Sequence, residues 1–234
     1  MAYLDVDQLK AVDAESFRET HPFPWQAFPQ LLDDTGWQAL QRNLPPFEQF
    51  SAIFGRKRKG GQQSHDRYVL QHRPWTHPKL PKPWRDFVKE LKSERYRAWL
   101  RGLLGHDDFL LHFHWHYTPR GCSVSPHCDA EWKIGSHIFY FNSEEDWAPE
   151  WGGETIILDD SGRYAPDSAP EFDDFDAQWS GPNRGNWSLL FLRQDHSWHG
   201  VKAIDCPEGA YRKVFIVEIR HATPMQRLRV TFGV

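Results

Sequence analysis

Residues 109–220 read as a series of short strands parted by turns, with no intervening helices. That is the feature that most restricts its fold. Residues 110–117 set the pattern: Leu111, Phe113, Trp115 and Tyr117 fall on one face of a strand, and His112, His114 and His116 on the other. Further runs rich in β-branched and aromatic residues follow at 123–127, 134–142, 154–158, 187–192, 200–204 and 212–219. The tight Gly152-Gly153 pair introduces one of them. Short strands in series without intervening helices predict a sandwich or jelly roll.

Residues 1–108 read differently. Helices are expected over 7–18, 35–43, 82–92 and 93–104, with one strand at 67–71. Residues 221–234 read as a tail. With 234 residues the chain has enough material for one core, so a single domain over 1–234 is expected, mainly β with flanking N-terminal helices. Hydrophobic residues at 39% and charged residues at 26% suit a soluble globular protein. A net charge of −4 gives no general drive toward nucleic acid. The one basic run, residues 56–59, reads first as a solvated loop. No stretch approaches the roughly 18 apolar residues of a membrane helix, and the first residues lack a secretory pattern. Three cysteines, an odd and sparse set, point to a reducing compartment, by default the cytoplasm.

His127 and Asp129 stand two apart at the end of a strand, so both project from the same face while Cys128 points away. An imidazole and a carboxylate on one face can share a metal. His199, heading the run at 200–204, offers a third ligand. Two histidines and one carboxylate make a facial triad that leaves positions open on iron for a co-substrate and O2. The His-x-Asp pattern alone is weak in a chain with 13 histidines and 32 acidic residues. A second match, His106-Asp107-Asp108, follows a helix with no strand before it and reads as a turn.

Arg212 strengthens the first match. It opens the strand after the one that His199 heads, and its planar fork suits a carboxylate. Lys213 is the fallback, on the opposite face. As a set, Pro126-His127-Cys128-Asp129, residues 133–142, Trp151-Gly152-Gly153-Glu154-Thr155, His199-Gly200-Val201 and Arg212 resemble the prolyl-4-hydroxylase-like branch of the Fe(II)/2-oxoglutarate-dependent oxygenases. The resemblance covers residues 110–220. It implies a double-stranded β-helix (a cupin-like jelly roll) over 109–220, with Fe(II) on His127, Asp129 and His199. It also implies 2-oxoglutarate and O2 as co-substrates, with Arg212 on the distal carboxylate and Tyr117 as a further contact. The implied reaction oxidises a C–H bond, most simply by hydroxylation, and converts 2-oxoglutarate to succinate and CO2. The halogenase branch lacks the carboxylate ligand that Asp129 supplies here.

Two rival readings stay open: a jelly-roll protein that binds metal without turnover, and a cupin-type metalloenzyme that does not use 2-oxoglutarate. Neither needs a carboxylate anchor at Arg212. His112, His114 and His116 read as a polar strand face, because three ligands along one strand lie too far apart to meet one ion. His196 reads as a turn residue, Trp198 as packing, and Trp132 as placed to meet a substrate. A small-molecule substrate is expected over a protein side chain, with no nucleic-acid or membrane partner. Residues 159–185 are too long for a simple connection yet hold Tyr164, Phe172, Phe175 and Trp179, which suggests a lid.

Overall fold

The protein is described here from a computed structural model, over residues 2–56 and 62–232. Arg56 is exposed. The rest of the basic run, and Gly60 and Gly61 after it, lie outside the described residues.

In chain order the elements are α1 (Val6–Ala11), α2 (Ala14–Arg18), β1 (Trp25–Pro29), α3 (Asp34–Arg42), β2 (Ser51–Ile53) and β3 (Arg67–Gln71). Then come α4 (Lys82–Leu91), α5 (Glu94–Leu104), β4 (Phe109–Pro119), β5 (Val124–His127), β6 (Lys133–Tyr140) and β7 (Ile156–Asp159). The chain continues with β8 (Ala177–Ser180), β9 (Trp187–Leu192), β10 (His199–Val201), β11 (Tyr211–His221) and α6 (Pro224–Phe232). Seven strands form one sheet in the order β1-β9-β6-β11-β4-β3-β2, and four form a second, β5-β10-β7-β8. All the pairings are antiparallel. This is a double-stranded β-helix with helices packed outside it, as the sequence led us to expect.

Alternation decides what each face of the larger sheet meets. On β4, Phe113 and Trp115 turn outward to the helices, where Trp84 of α4 meets Trp115 edge-on at 5.2 Å. Helix α4 supplies Trp84, Phe87, Val88 and Leu91 at the spacing of one helical face, all buried. Phe215 of β11 fits among Trp84, Phe87, Trp115 and Phe139. Burying each such ring contributes about 1.5–3 kcal/mol. The inner face is polar along β4, with His112, His114 and His116 all buried. Between the sheets, Ile157 of β7 packs with Ile138, Tyr140 and Leu189.

Several local readings are corrected. Residues 7–18 form two helices, not one, because the Asp13 carboxylate caps α2 by accepting from the amide of Glu15. Strands β1 and β2 were not foreseen; they sit at the sheet's two edges, where pairing rather than alternation defines them. The C-terminal tail carries α6, with Gln226 buried. Residues 159–185 are not one open loop: β8 pairs with β7, and Phe175 packs on Trp198.

Candidate metal centre and co-substrate pocket

Strand register brings the two histidines together. β10 runs antiparallel to β5, and His199 stands directly opposite His127. Their ring centroids are 4.4 Å apart. Asp129, two residues past His127, completes a group whose ligand atoms all lie within 4.8 Å of one another. All three residues are buried. The neighbouring Gly200 is needed for this approach, since a Cβ there would sit 2.8 Å from both the Val124 carbonyl oxygen and the Phe172 ring.

The surroundings of the three side chains suit a metal. His127 donates its Nδ1–H to the carbonyl of Ser125 at 3.0 Å, and His199 does the same to the carbonyl of Ser197 at 3.0 Å. A carbonyl can only accept, so both tautomers are fixed with the Nε2 lone pair left as donor atom. Burial, helped by the neighbouring His199, lowers the pKa of His127 to about 3; burial also lowers that of His199. Both rings are therefore neutral at ordinary pH, as metal ligation requires.

Burial alone would raise the pKa of Asp129, but Lys133 overrides it and the value falls to about 2. The Lys133 ammonium lies 2.8 Å from Oδ1, and the Ser136 hydroxyl donates to Oδ2 at 3.1 Å. Lys133 also reaches Glu218 at 3.2 Å.

Arg212 is buried on β11, beside the Gly152-Gly153 turn. Its Nε donates to the carbonyl of Gly153, and Nη2 to the Thr155 hydroxyl at 3.0 Å. Gly153 has φ +92°, and a Cβ there would meet the Arg212 Cδ at 3.1 Å, so glycine is what lets the guanidinium lie against this turn. Among the described residues no carboxylate lies within ion-pair distance of Arg212. Burial accordingly pushes its pKa down, with Tyr140 and Glu154 only partly offsetting it.

One cavity of about 680 Å³ is lined by His127, Asp129, His199 and Arg212 together. The metal-type group and the uncompensated guanidinium thus face a common space. The far end of a dicarboxylate in this space could pair with the Arg212 guanidinium.

Other expected residues fall elsewhere. Lys213 projects to the opposite face and pairs with Asp146. Tyr117 is not brought to the cavity: it shares the outward face of β4 and stacks on Phe50 at 4.3 Å. The same alternation that aims His116 inward turns Tyr117 out. The Cys128 thiol donates to the carbonyl of Asp195, and burial pushes its pKa up to about 12, so it is unreactive. His106 and Asp107 lie in an exposed turn, where Asp107 pairs with Arg97 and Arg101. Trp132 lines the cavity and stacks on the Arg220 guanidinium.

The sequence reading missed Lys133 and Glu218. Each carried a signal: Glu218 is a lone acid inside the apolar run of β11, and Lys133 opens a strand four residues past Asp129. A charge in such a position is buried and therefore needs a partner.

No protein-family model matches the chain, and no curated protein sequence matches it. Solved structures do. A prolyl-4-hydroxylase from Pseudomonas putida superposes with a TM-score of 0.60 at 17% identity, over 92% of this chain and 100% of that one. A 2OG-Fe(II) oxygenase family oxidoreductase from Burkholderia pseudomallei gives 0.54 at 15% identity, over 88% of each chain. A non-heme alpha-ketoglutarate-dependent carbocyclase of nogalamycin biosynthesis gives 0.61 at 12% identity, over 97% of this chain and 94% of that one. This chain has the 2OG-Fe(II) oxygenase fold. In that fold the group His127, Asp129 and His199 and the cavity holding Arg212 are what this sequence adds on its own evidence.

Proposed function

We propose that this protein is an Fe(II)- and 2-oxoglutarate-dependent dioxygenase that hydroxylates a C–H bond of a small-molecule substrate. The observation that carries the reading is a single cavity shared by a two-histidine, one-carboxylate group and a buried arginine without a carboxylate partner. His127, Asp129 and His199 would hold the iron, a donor set that suits Fe(II) and leaves positions open. Bound there, the metal supplies O2 activation at the expense of 2-oxoglutarate, which ends as succinate and CO2. Arg212 holds the distal carboxylate of 2-oxoglutarate and so fixes its direction in the cavity. Ser125 and Ser197 keep both imidazoles in the ligating tautomer, while Lys133 and Ser136 hold the carboxylate ionised and oriented. Asp129 fills the place a halide would need, which favours hydroxylation.

The cavity volume of about 680 Å³ is of the size that takes a small molecule, which favours one over a protein side chain. Among the described residues no helix is long and apolar enough to cross a membrane. The free thiols Cys122, Cys128 and Cys206 agree with a reducing compartment, the cytoplasm. A protein that bound metal without using 2-oxoglutarate would leave Arg212 buried without purpose, a cost of several kcal/mol.

The test is anaerobic addition of Fe(II) and 2-oxoglutarate. A visible charge-transfer band is expected, with succinate forming once O2 is admitted. Asp129→Ala and His199→Ala should each lose the band and the succinate, whereas His106→Ala should keep both. A band that survives in both ligand variants rules the reading out.

A further inference from the structure

The cavity has a second polar wall that the proposed reaction does not use. It is built from the inward residues of β4 and β3: His112, His114 and His116, with Gln71 directly opposite His114 in the β3–β4 register. His114 is 6% exposed, yet neither ring nitrogen has a hydrogen-bond partner among the described residues. It stacks on His116, with ring centroids 4.5 Å apart and planes at 15°.

The residues around His114 share a pattern. An arginine only donates, so whatever atom it touches must be an acceptor. Arg67 donates from Nε to Nε2 of His116 at 3.2 Å, which leaves the proton of that neutral ring on Nδ1. Arg73 donates from Nε to Oε1 of Gln71 at 3.0 Å, and from Nη2 to the same atom, which leaves Gln71 only its NH2 group to offer. Arg220 donates from Nη2 to Nδ1 of His112 at 3.0 Å. This contact is shorter than the 3.3 Å from that nitrogen to Glu218, and it leaves His112 an Nε2–H. Three arginines thus occupy the acceptor atoms of three wall residues and leave their donors. They also place positive charge behind the wall. Glu218, the one acid in it, is paired with both Arg220 and Lys133.

We propose that this wall binds an oxyanion of the substrate, a carboxylate or a phosphate, with His114 at its centre and donors from the neighbouring His116 and Gln71 beside it. His112 lies too far along β4 to reach the same anion as His116. The inference deepens the oxygenase reading, on which it rests for the place of the oxidant in the same cavity. The alternative occupant is a second metal, since ligand atoms of His112, His114 and Glu218 lie within 4.8 Å of one another. Arg220 argues against it: its guanidinium already sits on His112 and Glu218, so an incoming dication would meet a fixed positive charge.

The experiment uses the full protein loaded with Zn(II) and saturated with 2-oxoglutarate, followed by histidine-ring NMR. Acetate, benzoate and inorganic phosphate are titrated in, with acetamide and benzamide as parallel arms. The anions should move the wall histidine resonances at concentrations at least tenfold below any amide response. A stronger response to phosphate than to the carboxylates identifies the oxyanion as phosphate, and the reverse identifies a carboxylate. His114→Phe should weaken the response tenfold or more. Gln71→Glu keeps the pairing with Arg73 but replaces donors by a second negative oxygen, and should weaken it by a similar factor. The proposal is overturned by equal response to acids and amides, or by no response. It is also overturned by two metals per chain with the second lost in Glu218→Gln. Failure of the oxygenase reading shows separately, as a missing Fe(II)–2-oxoglutarate band while the anion response persists.

Discussion

At the scale of single residues, the site is organised by what each polar group already holds. His127 and His199 spend their Nδ1 protons on backbone carbonyls two residues upstream, which leaves one atom of each for a metal. Arg212 is the opposite case, a buried cation whose neutral contacts leave its charge uncompensated. Arg212→Ala should therefore raise the 2-oxoglutarate concentration for half-saturation at least tenfold, since losing a buried charge-assisted pair costs roughly 2–5 kcal/mol. Iron binding should persist, and titrating the anaerobic band with 2-oxoglutarate reads both. An unchanged half-saturation would remove Arg212 from the anchor role. That His127, Asp129, His199 and Arg212 would face one space was legible because strand period and turn spacing fix which face a residue takes. The same period turns Tyr117 outward onto Phe50, so the cavity does not offer the contact that the resemblance implies for it. Lys133 and Glu218 were not legible as a pair, because their contact joins β6 to β11 across the sheet and leaves no local pattern.

At the scale of elements, the strands of residues 109–220 were legible wherever one face is apolar, and the edge strands β1 and β2 and the short β8 were not. Strand β8 is informative because it lies in the segment expected to act as a lid. Residues 159–185 are anchored at both ends: Asp160 accepts from the amides of Gly162 and Tyr164, Arg163 pairs with Asp176, and Phe175 is buried on Trp198. Only the tip, at Pro166 and Asp167, reaches the cavity. Removing residues 165–177 would thus delete a packed ring and undo β8, so the informative change is smaller. Replacing residues 165–169 by a short Gly-Ser link should leave iron and 2-oxoglutarate binding intact. It should lower the ratio of oxidised substrate to succinate, because a more open cavity admits water to the reacting centre. Full coupling in that variant would show that the tip has no part in closing the site. Phe175→Ala, by contrast, should cost roughly 3 kcal/mol of stability, read by chemical denaturation, because it leaves a cavity beside Trp198.

At the scale of the whole molecule, the number of buried neutral imidazoles sets how the fold answers to acid. His137 is fully buried on β6, facing the helices, where its Nδ1 lies 2.8 Å from the Tyr96 hydroxyl. Burial lowers its pKa to about 3, and the same cause, first among several, lowers that of His114 to about 3. An unfolded histidine titrates near 6.5. Between those values the unfolded chain takes up protons that the folded chain refuses, so stability is full above about pH 6.5 and falls as pH drops toward 3. Each such ring contributes about 1.4 kcal/mol per pH unit within that window. Acid unfolding should therefore begin well above the carboxylate range, where Asp129 adds its own loss only below about pH 4. His137→Phe isolates one ring far from the cavity, because phenylalanine can keep the contacts with Phe139 and Tyr96 without a titrating nitrogen. Urea midpoints taken at successive pH values should show a slope smaller by about one proton in this variant between pH 6 and 4. The variant should be no less stable than the parent at the acid end, even if loss of the Tyr96 hydrogen bond costs about 1 kcal/mol at neutral pH. An unchanged slope would mean that His137 becomes protonated within the fold, and that the helices do not seal this face of the sheet as the packing of Tyr96, Trp99 and Phe28 around the ring requires.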